Sequence, residues 1–239
     1  MADKPARTLY GRRRGKPLRA GRRDVLERLL PQLRIDLAGY QDRKLDPRAL
    51  FDAEVQAVWL EVGFGAGEHL SALAQAHPHI GFIGCEPFIN GVARLLSDVD
   101  QYGLANVRVV MDDARILLDC LGQGSIGRAF LLFPDPWPKR RHNRRRFVVP
   151  ENIAAMANVL ADGAEWRIAT DHRDYCRWIL DHMTRSTQFE WLARRPGDWR
   201  QRPIGWPPTR YEEKGLEAGR PPVFLGFERR RRKQPGEQP

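Results

Sequence analysis

The chain has 239 residues, 42% of them hydrophobic, and a formal net charge of +10, which suits one large domain with basic extensions. Its three cysteines are too widely spaced for a disulfide framework or a CxxC metal site, and the histidines have no metal-ligand spacing, so we expect a cytoplasmic protein without a metal. No signal-like start and no apolar run of about 18 residues is present, so we expect no membrane span.

The predicted elements begin after a long basic segment. Residues 1–22 are rich in arginine, glycine and proline without periodicity, which predicts a disordered basic arm. Leucines on one side predict a short helix over 24–33. Strands are then predicted over 57–62, 80–86, 107–113, 128–133 and 165–170, with helices over 67–77, 89–103, 150–163 and 175–186 and a short one ending near Gly122. Residues 199–222 are predicted to form a loop, and 223–230 a last strand.

The alternation of strands and helices predicts the fold class. It indicates an α/β protein of Rossmann-like type, with a mostly parallel sheet and helices on both faces. Right-handed crossovers place the carboxyl ends of the strands at one edge, where such folds bind ligands. We expect this domain to cover residues 23–228, followed by a flexible basic tail over 229–239, although both terminal basic runs could be solvated tails only.

A glycine-rich turn, EVGFGAGEH, follows the first predicted strand. Gly63, Gly65 and Gly67 allow a tight turn and a close approach of the backbone to a ligand. Glu68 occupies the position where a dinucleotide-binding fingerprint has its third glycine, and its carboxylate would repel a pyrophosphate. S-adenosylmethionine has no phosphate and carries a sulfonium and an ammonium group, so Glu61 and Glu68 favour that ligand over NAD. The alternative is a purely structural turn with a capping Glu68.

Acidic residues stand at or just after the ends of four successive strands. Glu86 is placed to accept hydrogen bonds from ribose hydroxyls, and Asp112 or Asp113 to accept one from the adenine amine. Any one such acid could be an ordinary loop residue, but a series sharing one sheet edge indicates a binding site. The four ends are marked by Glu86, Asp113, Asp135 and Asp171.

The stretch LLFPDPWPKRRHNRRRF joins one carboxylate to a block of positive charge. Asp135 lies between two prolines, which makes it a rigid acid after the fourth strand. The block Lys139–Arg146 predicts binding of nucleic acid phosphates. Trp137 could stack on a base or pack beneath the loop as a core residue.

These motifs together resemble those of a known family. EVGFGAGEH, GCEP, DDA, FPDPWPKRRHNRRR, ATDH and TRYEEKG, in that order, are similar to the motifs of the bacterial tRNA (guanine-N7)-methyltransferases. The similarity runs from about Leu60 to Phe227. It implies a class I fold that uses S-adenosylmethionine and methylates a tRNA guanosine in the variable loop, usually numbered 46.

The resemblance also implies site residues, which we treat as predictions. Asp135 is expected to be catalytic, and tRNA and S-adenosylmethionine are the expected partner and methyl donor. The donor contacts are Glu61, Gly63, Gly65, Gly67, Glu86, Asp113 and Asp135; the substrate contacts are Lys139, Asp171, Thr209, Arg210, Tyr211 and Glu212. We expect the rest of the basic block to bind RNA: Arg140, Arg141, His142, Asn143, Arg144, Arg145 and Arg146.

The chemistry restricts what these residues must do. Guanine N7 carries a free lone pair and no proton, so no general base is needed. Asp135 could offset the charge that develops on the ring or could position the donor, and the sequence leaves both roles open. Asp171 could accept from the N1 and N2 edge of guanine or could cap the following helix.

The sequence is also compatible with three other functions. A methyltransferase for a small molecule or for ribosomal RNA would share the fold, although the basic block argues against a small substrate. A non-catalytic RNA-binding protein with a decayed donor site is disfavoured by the intact glycine turn, and a NAD-dependent enzyme by Glu68.

Overall fold

The computed structural model describes residues 9–40 and 44–233. The ends of the two predicted basic tails, residues 1–8 and 234–239, lie outside these described residues. The helices are α1 Ala20–Leu33, α2 Glu68–Ala76, α3 Ile89–Tyr102, α4 Ala114–Cys120, α5 Pro150–Val159, α6 Arg173–Arg185, α7 Gly197–Arg200 and α8 Arg210–Glu217. The strands are β1 Ala57–Val62, β2 Ile80–Cys85, β3 Val107–Val110, β4 Ile126–Leu132, β5 Leu160–Thr170, β6 Phe189–Trp191 and β7 Val223–Arg229. Short 3-10 helices cover Ala38–Tyr40, Pro47–Leu50 and Arg140–Arg145.

The seven strands form one sheet in the order β3-β2-β1-β4-β5-β7-β6. The first five pair in parallel, whereas β7 runs antiparallel to both β5 and β6. The predicted α/β class and mostly parallel sheet are therefore confirmed. The chain order reverses between β1 and β4, which creates the crevice where doubly wound sheets bind their ligands.

Two apolar cores cover the two faces of this sheet. One contains buried residues of α1, α2 and α3, including Leu26, Leu70 and Val92. The other contains buried residues of α4, α5 and α6. The central strands are apolar on both faces, as expected of a parallel sheet covered by helices. None of the helices in the described part of the chain combines the length and apolar character that a membrane crossing needs.

The structure differs from the prediction mainly at element boundaries. Helix α5 stops at Val159, and residues 160–163, predicted as helix, begin β5 because Leu160 pairs with Ile126 of β4. Residues 199–222 contain α8 and the end of α7 rather than an unbroken loop. The three-residue strand β6 is also absent from the prediction.

The basic segment before the domain makes specific contacts where the structure describes it. Helix α1 begins at Ala20, four residues earlier than predicted. Upstream, the Asn90 side chain accepts from the backbone N–H of Gly15 (2.9 Å) and donates to the carbonyl of Lys16 (2.8 Å). The carbonyl of Arg13 accepts from the N–H of Ile89. Residues 9–19 thus lie along the start of α3, and the wider division into arm, domain and tail stays a prediction.

The C-terminal arginines bind the end of a helix. Arg232 donates to the carbonyls of Ala157, Asn158 and Leu160 at 2.7–2.8 Å and pairs with Asp162. Arg229 also donates to the carbonyl of Ala157, at 2.8 Å. Cations at a helix C-terminus satisfy its free carbonyls and its dipole, so this part of the basic run stabilises the fold.

We therefore expect Arg232→Ala to lower the free energy of unfolding by about 1–3 kcal/mol, because several carbonyls lose a charged donor. Urea denaturation measures this loss. The control is Arg231→Ala at an exposed position next to it, which should change stability by less than about 0.5 kcal/mol. Equal stability of the two variants would contradict the helix-capping role.

Candidate active site

The candidate site lies at the reversal point of the sheet. The strands β1 and β4 are neighbours, with Val62 opposite Leu131, so the loops that follow them begin side by side. The glycine turn follows β1, and Asp135 follows β4. The glycine turn and the Asp135 loop are therefore neighbours at the crevice where folds of this type bind their ligands.

Three glycines shape the first of these loops. Gly63, Gly65 and Gly67 have φ values of 71°, 59° and 83°, a region that side chains with a Cβ rarely adopt. A Cβ added at Gly63 would meet no protein atom within 4 Å, so this glycine leaves open space beside the backbone. The loop is closely covered elsewhere: a Cβ on Gly91 of α3 would overlap the carbonyl oxygen of Gly65. The loop combines a fixed shape with an open side.

Glu86 holds this loop from the end of β2. One carboxylate oxygen accepts from the N–H of Gly65 (2.8 Å) and the other from the N–H of Phe88 (3.0 Å). Burial raises the pKa of Glu86 most strongly, and the negative charges of Asp135 and Glu61 raise it further, against the effect of the two N–H donors. The negative charges of Asp135 and Glu61 thus reach Glu86, which places three carboxyls in one region of the site.

Glu61 is buried inside the site and is paired there. Its carboxylate lies 2.8 Å from Nδ1 of His69, and both side chains are almost inaccessible. The His69 ring packs against Phe130 and Trp206. Glu61 therefore links β1 to α2 behind the glycine turn, and its contact with a methyl donor stays a prediction.

Asp113 is also occupied by protein neighbours. It caps α4 by accepting from the N–H of Arg115 (3.0 Å), and its carboxylate also binds the guanidinium of that arginine. Asp112 is more exposed, with its carboxylate 3.5 Å from Arg13. The structure thus places Asp113 in a supporting position at the end of β3 and leaves Asp112 more open to a ligand.

Asp135 sits on a strained loop. Phe133 and Trp137, two residues on either side, have φ values of 49° and 44°. Such a conformation costs a residue with a Cβ about 1–3 kcal/mol and is retained where surrounding structure enforces it, commonly at functional sites. Asp135 is open to solvent on one side, and partial burial of the carboxyl raises its pKa. The strain and the flanking prolines restrict the backbone on both sides of Asp135.

The basic block divides into exposed and buried residues. Lys139, Arg140, Arg141 and Arg144 are exposed around the 3-10 helix Arg140–Arg145. Desolvation, and then the charges of neighbouring cations, lower the pKa of His142. These four exposed cations follow Asp135 within nine residues and give this part of the surface a positive charge.

Arg146 requires a correction, because it was predicted to bind RNA. Its side chain is 1% exposed, donates to the carbonyl of Pro136 (2.9 Å) and pairs with Asp174. Its guanidinium lies 5.0 Å from the ring centroids of both Tyr175 and Trp178. It is therefore not available to a phosphate; it ties the Asp135 loop to α6.

Trp137 packs against surface groups. Its ring contacts both Tyr10 of the basic segment (6.2 Å between ring centroids) and the guanidinium of Arg145 (4.9 Å from the ring centroid). Arg145 also stacks on Tyr10 at 4.4 Å. Sequence reasoning did not select Tyr10, and the one available signal was an isolated aromatic residue in an arginine-rich segment.

The motif TRYEE, near the end of the chain, contacts the glycine turn in the folded structure. Thr209 caps α8 by accepting from the N–H of Glu212. A Cβ on Gly65 would lie 3.0 Å from the ring of Tyr211, so this ring covers the turn. Arg210 lies 3.8 Å from the carboxylate of Glu68. The structure therefore brings Arg210 and Tyr211 to the edge of the site, whereas Thr209 and Glu212 are buried at the start of the helix.

Asp171 follows β5 and contacts the same helix. Its carboxylate accepts from Arg220 at 2.8 Å, and a Cβ on Gly215 of α8 would lie 3.1 Å from the Asp171 Cβ. The cap of α6 is His172, which accepts from the N–H of Tyr175, so the alternative role of Asp171 as the cap of this helix is wrong. No group of three or more metal-ligating side chains occurs within the described residues.

Comparisons with known proteins agree with this architecture. A family model described as "Putative methyltransferase" matches residues 55–225. A tRNA (guanine-N(7)-)-methyltransferase of Rhodospirillum rubrum is 50% identical over 97% of this chain and 92% of its own, and one of Ruegeria pomeroyi is 50% identical over 95% and 96%. Among solved structures, the 16S rRNA methyltransferase KamB superposes with a TM-score of 0.55 at 15% identity, covering 77% of this chain and 91% of its own, which supports the fold alone.

Proposed function

The chain belongs to the tRNA (guanine-N7)-methyltransferase family, and we propose that it transfers a methyl group from S-adenosylmethionine to N7 of a tRNA guanosine. The observation that carries this proposal is the meeting of the glycine turn, Asp135 and an exposed cationic surface at one sheet edge. The cationic surface suits a polyanionic substrate, and the acidic crevice suits a cationic donor.

The glycine turn supports a donor with two positive groups and no phosphate. S-adenosylmethionine supplies the reaction with a methyl group on its sulfonium. The open space at Gly63 would admit the donor close to the backbone, and the negative potential around Glu86 and Asp135 favours its charge. Glu86 keeps the turn in shape through the N–H of Gly65. Asp112, with its more exposed carboxylate, is the better placed of the two acids after β3 to reach an adenine amine.

Asp135 acts without removing a proton, because N7 has none to lose. Its carboxylate, carried on a restricted backbone, provides negative potential where positive charge passes to the guanine ring. Asp171 has one oxygen bound to Arg220, and its other oxygen can accept from the guanine edge. Thr209 and Glu212 begin the helix that carries Tyr211 across the turn and thereby shape the space for the base.

We further propose the variable-loop guanosine at position 46 as the target, because the family resemblance of FPDPWPKRRHNRRR and TRYEEKG implies it. We also propose that the protein works in the cytoplasm. All three cysteines are free, which suits a reducing compartment.

One assay tests the proposed reaction. The protein is incubated with labelled S-adenosylmethionine and unmodified bulk tRNA or 16S ribosomal RNA, and the labelled nucleosides are identified. We expect 7-methylguanosine from tRNA only. Label in ribosomal RNA alone, or in a nucleoside other than 7-methylguanosine, would overturn the proposal.

A second prediction concerns the exposed cations. Replacing Arg140, Arg141 and Arg144 with Ala should weaken tRNA binding and reduce the salt slope of log K by up to about 2.7, since each phosphate contact contributes about 0.9 to the slope of duplex binding. Donor affinity should be unchanged. The contrasting variant is Arg146→Ala, which should lower stability because this buried side chain holds the loop. An unaltered salt slope in the triple variant would show that tRNA binds elsewhere.

A further inference from the structure

A cavity lies beside the candidate site and takes no part in the proposed methyl transfer itself. It has a volume of about 570 Å³ and lies between the end of β5, the first turns of α6, the short helix α7 and the segment before β7. This size is typical of sites for small organic groups. Asp171 is on its wall, so the cavity adjoins the place proposed for the target guanosine.

The floor and the rim of this cavity differ in chemistry. Apolar groups form much of the floor, among them Trp199, Leu180 and Val223. Three arginines surround it: Arg173 and Arg177, which are one turn apart on α6, and Arg200 on α7. An apolar, aromatic floor with a cationic rim is the combination that accommodates a nucleobase and its phosphate.

The rim arginines form no ion pair with another residue in the part of the chain that the structure describes. Within residues 9–40 and 44–233, none of Arg173, Arg177 and Arg200 lies within ion-pair distance of a carboxylate. The nearby acids have other partners: Asp171 pairs with Arg220, and Asp174 with Arg146. The guanidinium of Arg200 lies over the ring of Trp199, 4.8 Å from its centroid, so a cation and an aromatic ring, two groups that bind nucleobases, meet at the cavity.

We propose that this cavity binds an unpaired nucleotide of the tRNA next to the methylated guanosine, with its base on Trp199 and its phosphate among Arg173, Arg177 and Arg200. The inference rests on the proposed function, because Asp171 then borders both nucleotides. RNA is recognised mainly through unpaired bases that stack on aromatic and arginine planes. Holding a flanking nucleotide would keep the target base turned into the site while the phosphates before and after it are fixed.

The double variant Arg173→Ala/Arg177→Ala tests the phosphate contacts. We expect it to bind a tRNA transcript about tenfold more weakly than wild type at 0.15 M salt, with a salt slope lowered by up to about 1.8. The control is Arg185→Ala, on the same helix and outside the cavity, where the side chain is exposed and pairs with Asp181. Calorimetry with S-adenosylhomocysteine should give one affinity for all three proteins, which checks that they are folded.

Stacking on Trp199 is tested with 2-aminopurine placed directly 5′ or 3′ of the target guanosine in the transcript. We expect wild type to quench the fluorescence at one of the two positions and Trp199→Ala to abolish that quenching. Trp199→Phe keeps an aromatic face, so it should retain most of the quenching. This control distinguishes a loss of stacking from a loss of folding.

Two results would overturn the inference. One is tRNA binding by the double variant as tight as by Arg185→Ala, and the other is equal fluorescence with wild type and Trp199→Ala at both positions. If wild type forms 7-methylguanosine in tRNA while these variants behave normally, only the cavity proposal fails. If wild type transfers no methyl group to tRNA, the proposed function fails and this inference fails with it.

Discussion

Asp135→Asn is expected to lower the single-turnover rate of methyl transfer by about 10²–10³ at saturating donor, while tRNA binding stays near normal. The substitution keeps the size of the side chain and removes its charge. The hydrogen bond from Arg146 to the carbonyl of Pro136 does not involve the charge of Asp135. The backbone conformation at Phe133 and Trp137 does not involve it either, so the variant should fold. The expected loss is that of one preorganised electrostatic group.

The alternative role gives a different result. If Asp135 only positions the donor, the variant should bind S-adenosylmethionine more weakly and recover its rate when the donor is saturating. The control is Asp24→Asn, an exposed acid on α1, which should leave the rate unchanged. A full rate for Asp135→Asn at ordinary donor concentration would contradict both roles and leave Asp135 as a structural turn residue.

The pH profile of the wild-type rate gives an independent check. Only the ionised carboxylate supplies negative potential, and partial burial raises the pKa of Asp135. The rate should therefore fall as the pH decreases through that raised pKa, and it should show no rise from pH 6 to pH 8, because N7 needs no general base. Asp135→Asn should lack the acidic decrease. A wild-type rate that climbs steadily from pH 6 to pH 8 would indicate a catalytic base instead.

Gly91→Ala is expected to weaken donor binding by about tenfold or more and to lower the free energy of unfolding by about 1–3 kcal/mol. The added methyl group would overlap the carbonyl oxygen of Gly65 and lie 3.4 Å from Cγ of Glu86. Either the glycine turn or α3 must move. Because Glu86 binds the N–H of Gly65, such a movement changes the shape of the donor site as well as the packing.

Calorimetric titration with S-adenosylhomocysteine and urea denaturation measure these two effects. Gly21→Ala is the matched control, since it makes the same substitution in a helix where a new Cβ meets nothing within 4 Å. It should be neutral or slightly stabilising, because alanine favours helix. Donor affinity in Gly91→Ala equal to that of the control would show that the close packing of α3 against the turn is not needed for binding.

The sheet and the clustering of the candidate residues could be predicted because they depend on local patterns. Apolar runs mark strands β1 to β5 and the helices between them, and glycines mark several of the turns. The right-handed topology of such units then places the carboxyl ends of the strands at one edge. Helix α8 could also have been predicted. Thr209 and Glu212 form a T-x-x-E capping signal, which was hidden within a segment rich in proline, glycine and tryptophan.

Other features depend on distant partners that no local pattern reveals. Arg146 ends a run of mostly exposed cations, but its side chain is buried. It pairs with Asp174 and packs over two aromatic rings of α6. Helix α5 ends at Val159, where Arg229 and Arg232 bind its last carbonyls from the far end of the chain. Both arginines look like tail residues in the sequence, and only the fold shows their partners.

Methylation of N7 at the proposed site is tested most directly with two tRNA transcripts that differ in one ring atom. In the second, the guanosine at variable-loop position 46 is replaced by 7-deazaguanosine, which has a carbon in place of N7. Single-turnover transfer from labelled S-adenosylmethionine is measured with both, together with their binding affinities. We predict similar binding of the two transcripts but methyl transfer only to the one that retains N7; equal transfer to both would show that N7 is not the atom methylated.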